Sequence, residues 1–179
     1  MKGRKLPSTG GVLLRPTSSL VRGAIFSILG PESVEGARVL DLFSGTGTLG
    51  IEALSRGAKW VDFVEKNPKL CARLKDTLKE LAFDEKAHIH CAKVEVILAS
   101  LGGKYDIVFM DPPYADAPID EVMASLDKED LVDADGSVLA EHSRFLKPKE
   151  EYGALLKKNT KRYGDTCLSI FQRSRGQDG

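Results

Sequence analysis

The chain has 179 residues, 42% of them apolar, enough for one domain with a real core. Its 26 basic and 26 acidic residues cancel, so total charge points to no partner, and no apolar run resembles a secretion signal or a bilayer span. The cysteines Cys71, Cys91 and Cys167 form no CxxC pair or Cys/His cluster, which argues against a disulfide framework or zinc site and leaves a cytoplasmic protein without metal or membrane as the expectation.

Residues 1–16, rich in Gly, Pro and basic side chains, are predicted to form an extended arm. Residues 1–31 carry Lys2, Arg4, Lys5, Arg15 and Arg22 and no acid. A helix is predicted over 17–30, with Thr17 or Ser18 as N-cap and Leu20, Ala24, Ile25, Ile28 and Leu29 on one face. Gly23 inside it costs about 1 kcal/mol relative to alanine. From residue 38 strands and helices alternate: strand 38–43, helix 48–57, strand 60–65, helix 68–82, strand 86–91, helix 94–101, strand 105–111, strand 136–142. Residues 159–173 read as two β pieces broken at 163–166, a closing hairpin. Near-continuous apolar strands separated by helices predict a doubly wound α/β core over 38–173, preceded by the basic arm and helix of 1–30. Residues 116–135 hold eight acids against Lys128 alone, whereas 144–175 hold nine Lys or Arg against three acids. Two basic ends around an acidic stretch suggest that a polyanion meets one face. His88, His90 and His142 lack metal-ligand spacing and read as structural.

In an open parallel sheet, ligands bind beyond the carboxyl ends of the strands. The first such end, 41-DLFSGTGTLG-50, contains a GxGxxG at Gly45, Gly47 and Gly50, and Glu65 follows 20 residues after Gly45. That spacing suits a dinucleotide, with the acid on ribose hydroxyls. Asp41 argues otherwise, because a carboxylate just before the glycine turn would repel a pyrophosphate. It suits a cofactor with a cationic loop-side end, an ammonium and a sulfonium, as in S-adenosylmethionine. The predicted cofactor set is Asp41, Phe43, Gly45, Thr46, Gly47, Glu65, Lys66, Ala92 and Lys93, the last two beside the adenine.

The strand 105–111 ends in Asp111-Pro112-Pro113-Tyr114. Prolines donate no N–H, so this turn leaves carbonyls aimed outward. Asp111 and the Pro112 carbonyl then offer two acceptors and Tyr114 a flat face, suited to a planar base with an exocyclic amine. Asp111, Pro112, Pro113 and Tyr114 are therefore the candidate catalytic residues, working mainly by positioning.

Three blocks, 3-GRKLPSTGGVLLRPTSSLVRGAIFSIL-29, 41-DLFSGTGTLGIEALSRGAKWVDFVEKN-67 and 109-FMDPPY-114, resemble the RsmD-type family of class I S-adenosylmethionine-dependent methyltransferases, which modify the exocyclic N2 of a guanine in 16S ribosomal RNA. The resemblance implies a Rossmann-like, mostly parallel seven-stranded sheet in a single domain. It also implies that Arg4, Lys5, Arg15, Pro16, Thr17 and Arg22 help bind RNA or close over the cofactor; a monomer acting on 16S RNA within a small-subunit particle is the expectation. Gly23 departs from the family, which has glutamate there, and the segment before GRKL is short.

Other readings fit less well. A DNA adenine-N6 methyltransferase shares the glycine loop and DPPY, but 115–135 is too acidic for a DNA-binding insert. A glutamine-methylating enzyme would carry Asn in place of Asp111. A dinucleotide oxidoreductase is opposed by Asp41, and a non-catalytic RNA-binding module leaves both motifs unexplained.

Overall fold

A computed structural model describes residues 18–113 and 118–174. The first helix, α1 (Ser19–Leu29), is capped by Ser18, whose Oγ accepts a hydrogen bond from the Val21 amide at 3.2 Å. A short α2 (Pro31–Val34) precedes β1 (Arg38–Leu42), α3 (Thr48–Ser55), β2 (Trp60–Glu65), α4 (Pro68–Glu80) and β3 (Ala87–Cys91). Then come α5 (Val94–Ile97), β4 (Tyr105–Met110), α6 (Ile119–Lys128), β5 (Val132–Ser143), β6 (Glu151–Tyr152), β7 (Leu155–Tyr163) and β8 (Thr166–Arg173).

The strands form one sheet in the order β3-β2-β1-β4-β5-β8-β7-β6. β1 to β5 run parallel, and β8 and β7 return antiparallel as the expected terminal hairpin. Seven strands were expected; the eighth is the two-residue β6, paired with the start of β7. The winding reverses between β1 and β4, so the crevice beyond their carboxyl ends is the topological switch point.

Both faces of the sheet are covered. On one, Val21, Ile25 and Phe26 of α1, with Leu49 and Ala53 of α3 and Leu74 and Leu78 of α4, pack on Val39, Phe63, Phe109, Leu139 and Leu168. Phe26 meets Phe109 edge-on at 5.8 Å between ring centres. On the other, Ile119, Val122, Met123 and Leu126 of α6 pack on Leu40, Val108, Met110 and Val138. Alternate residues of each strand serve the two faces.

Three features differ from the predicted elements. The 94–101 helix is α only to Ile97 and then tightens to a 3₁₀ turn over Leu98–Ser100. β5 starts at Val132 rather than at 136, after a register shift against β4 between Tyr105 and Ile107. The acidic stretch contains α6, which charge counting concealed. Its apolar residues recur at i, i+3, i+4 and i+7, and all four are buried. Two of its acids tie it to β6 and the turn that follows. Asp120 accepts from the Tyr152 hydroxyl, and Asp127 Oδ1 accepts from the Ala154 amide at 3.0 Å. Just past the helix, Asp130 pairs with Lys104 at 3.0 Å and with Arg173.

A buried polar cluster lies under the α5–α6 face. Asp62 of β2 accepts from the Tyr105 hydroxyl at 2.6 Å, pairs with His90 at 3.0 Å, and lies 3.8 Å from Arg38. Burial, with the Asp62 carboxylate next, pushes the Tyr105 phenol well above its ordinary value. Among the described residues no helix is long and apolar enough to cross a membrane, and no group of three His, Cys, Asp or Glu side chains forms a metal cluster.

Candidate active site

The site starts where β1 leaves the sheet. Asp41 is 3% exposed and faces α3, where its Oδ2 accepts the Gly50 amide at 3.0 Å. Gly50 has to be glycine for packing: an added Cβ would lie 2.3 Å from the Phe63 ring and 3.0 Å from Asp41 Oδ2. Phe43 follows at φ 56°, a strained conformation for a bulky side chain, which turns the chain sharply out of the sheet. Gly45 (φ 57°) and Gly47 (φ 80°) are also left-handed, as glycine allows, and Gly47 is the N-cap of α3. Nothing lies within 4 Å of a Cβ built on Gly45, so that side of the loop is open to an approaching ligand.

Glu65 ends β2 and holds the loop from below. Its Oε1 accepts the Gly45 amide at 3.3 Å and its Oε2 the Asn67 amide at 3.2 Å. Lys66 is exposed beside it. Ala92 follows β3 and donates its amide to the Glu65 carbonyl at 3.0 Å, with Lys93 exposed as the N-cap of α5. Cys71 Sγ donates to the same carbonyl at 3.2 Å. Register places Cys91 opposite Glu65, so the fold joins two cysteines that lie 20 apart in sequence (91 − 71). Burial, then the neighbouring Cys91 thiol, pushes Cys71 up to about 12, an inert thiol at neutral pH.

Register aligns Asp41 with Phe109 and Leu42 with Met110, so Asp111 stands at the adjacent strand end, on the face that carries Asp41. Asp111 is half-buried, Pro112 buried and Pro113 exposed. Asp41 titrates at about 7, far above an ordinary carboxylate. Burial is the main cause; the Gly50 amide opposes it, while Asp111 and then Glu65 add like-charge repulsion. Three carboxylates thus converge where the glycine loop is open. A cation there would relieve their repulsion and favour ionised Asp41; a pyrophosphate would aggravate it. The residues present therefore fit S-adenosylmethionine.

A fourth acid was missed from the sequence. Glu141 of β5 is 7% exposed, and the pairing of Met110 with Ala140 sets it level with Asp111 on the same face. The signal was an acid at or near the carboxyl end of an apolar strand, as at Asp41, Glu65 and Asp111. His142, on the opposite face, donates through Nδ1 to the Ser143 carbonyl at 2.8 Å and accepts at Nε2 from Ser169 Oγ at 2.7 Å. Burial lowers its pKa, so it remains a neutral structural ring.

Arg22 is half-exposed in the first turns of α1. The other expected RNA contacts, Arg4, Lys5, Arg15, Pro16 and Thr17, lie outside the described residues, as does Tyr114.

The chain matches a family model described as "Conserved hypothetical protein 95" over residues 1–172. It is 34% identical over 175 residues to a Bacillus subtilis protein named "Putative rRNA methyltransferase YlbH", covering 96% of this chain and 95% of that one. Over 126 residues it is 36% identical to Escherichia coli "Ribosomal RNA small subunit methyltransferase D", covering 70% of this chain and 63% of the relative. Among solved structures, "Putative methyltransferase yhhF" from Escherichia coli superposes with a TM-score of 0.84 at 26% identity, over 97% of this chain and 93% of that chain.

Proposed function

The chain belongs to the Conserved hypothetical protein 95 family, the RsmD-type methyltransferases, and from that membership and the site's geometry we propose that it methylates the exocyclic N2 amine of a guanine in 16S ribosomal RNA. The observation that carries this reading is the meeting of Asp41, Glu65 and Asp111 at neighbouring strand ends around an open glycine loop. S-adenosylmethionine, when bound, supplies a methyl group already activated by its sulfonium.

The protein's part is to bind, orient and hold a proton. Asp41, ionised by the arriving positive charge, faces the ammonium end of the cofactor. Gly45 and Gly47 let the backbone approach it, Phe43, Thr46, Lys66 and Lys93 flank it, and Glu65 exchanges its loop amides for ribose hydroxyls. Ala92 borders the adenine. Asp111 and the Pro112 carbonyl accept the two amine hydrogens and turn the nitrogen lone pair toward the methyl, with Pro113 fixing the turn and Tyr114 stacking on the base. On methyl transfer the amine nitrogen would shed one proton, which Asp111 or water would take. Arg4, Lys5, Arg15, Pro16, Thr17 and Arg22 hold the RNA. The same reading takes residues 1–179 as one cytoplasmic domain, a monomer, acting on small-subunit particles.

Asp111→Ala should lower methyl transfer to small-subunit particles by about 100-fold or more while cofactor affinity stays within a few-fold. Equal loss of both would make the tip structural. Binding of NAD but not S-adenosylmethionine in calorimetry would overturn the reading. Mass mapping of the labelled nucleoside tests the target, and a product other than N2-methylguanosine refutes it.

A further inference from the structure

Resting on that reading, we infer that Phe145 and Arg144, just beyond β5, form a stacking platform for an RNA base flanking the target guanine. Phe145 is 76% exposed, the only aromatic among the four large exposed hydrophobics of the described residues. One exposed apolar side chain means little by itself. This one is built into a fixed surface. The Arg144 guanidinium lies over its ring at 4.4 Å, and that guanidinium is paired with Asp165 at 3.1 Å. The Arg144 amide also donates to the Asp165 carbonyl at 2.9 Å, and the Phe145 amide to Ser143 Oγ at 3.2 Å. Ring and backbone are thus pinned to the β7–β8 turn before any ligand arrives. Arg144 covers one face of the ring and leaves the remainder open to a base.

Place and charge fit the same partner. Glu141 is level with Asp111 on the neighbouring strand, and Phe145 lies four residues further on. The platform is therefore one strand spacing sideways, about 5 Å, and at most about 13 Å along the chain from Asp111. Lys147, Lys161 and Arg162 are exposed on the same end of the hairpin region. Of the segment's three acids, Glu150 is bound to Lys157 at 2.9 Å and Asp165 to Arg144. A fixed aromatic among exposed cations suits single-stranded nucleic acid, with bases on the ring and phosphates on the basic side chains.

The test uses the full chain, with Phe145→Ala, Phe145→Leu and Phe145→Trp. Binding to protein-free 16S RNA and to unmodified small-subunit particles is measured without turnover, and methyl transfer separately. Alanine and leucine should each weaken binding to both by about 10-fold or more, and tryptophan should restore it. Cofactor affinity and the thermal midpoint should not change. Wild-type affinity in the alanine variant, or full recovery by leucine, overturns the platform. Loss confined to particles also overturns it, in favour of a protein contact. If binding falls as expected but the wild type methylates no RNA, the platform stands and the methyltransferase reading fails.

Discussion

Asp41→Asn should make the cofactor-free protein more stable at neutral and alkaline pH while weakening cofactor binding. Buried Asp41 titrates at about 7 instead of 3.8. A carboxyl whose folded pKa is raised stabilises the fold fully below its unfolded pKa and loses that contribution as pH rises through the folded one. That rise, from 3.8 to about 7, corresponds to about 4 kcal/mol at pH 8. Asparagine keeps the shape and an oxygen for the Gly50 amide, so the variant escapes most of that cost without opening a cavity. Urea denaturation of both proteins at matched pH values isolates this group, because other titrations cancel in the difference. The gain should be near zero at pH 4, rise by about 1.4 kcal/mol per unit, and level off above pH 7 at about 2–4 kcal/mol. The thermal midpoint should rise by about 10 °C at pH 8. S-adenosylmethionine should bind the variant at least about 10-fold more weakly, and binding to the wild type near pH 6.5 should release a proton. A variant less stable at pH 8, or a difference that does not vary with pH, would refute the account of buried, mutually repelling carboxylates.

Two further substitutions probe the scaffold. Gly50→Ala forces a Cβ against Phe63 and Asp41; it should cost about 1–3 kcal/mol in urea denaturation and lower cofactor affinity, because α3 must move off β1. Neutral behaviour would mean the helix gives way freely. Tyr105→Phe removes the 2.6 Å hydrogen bond to buried Asp62, with an expected loss of about 2 kcal/mol and unchanged cofactor affinity. A comparable loss of affinity would tie the Asp62 cluster to the site.

The alternation of strands and helices was legible because its causes are local. Trp60–Glu65 ran as an apolar strand to its exact bounds, and Ser18 and Pro68 marked helix starts by their own chemistry. The glycine loop, Glu65 and Asp111 were legible for the same reason, as motifs that end strands. α6 was not, because the eight acids around it hid a stripe of four apolar residues. The 151–152 strand was too short to leave a pattern of its own.

Sequence determined which residue types end each strand and hence which chemistry the chain carries. Tertiary structure decided which of those ends meet. Parallel register sets Asp111 and Glu141 level and puts Asp41 next to them; burial then turns Asp41 from an ordinary carboxylate into a group poised near neutrality. The hairpin likewise fixes Arg144 over Phe145 through Asp165, a partner 21 residues along the chain (165 − 144). Local patterns follow from one stretch of chain; field, register and desolvation arise only when distant stretches come together.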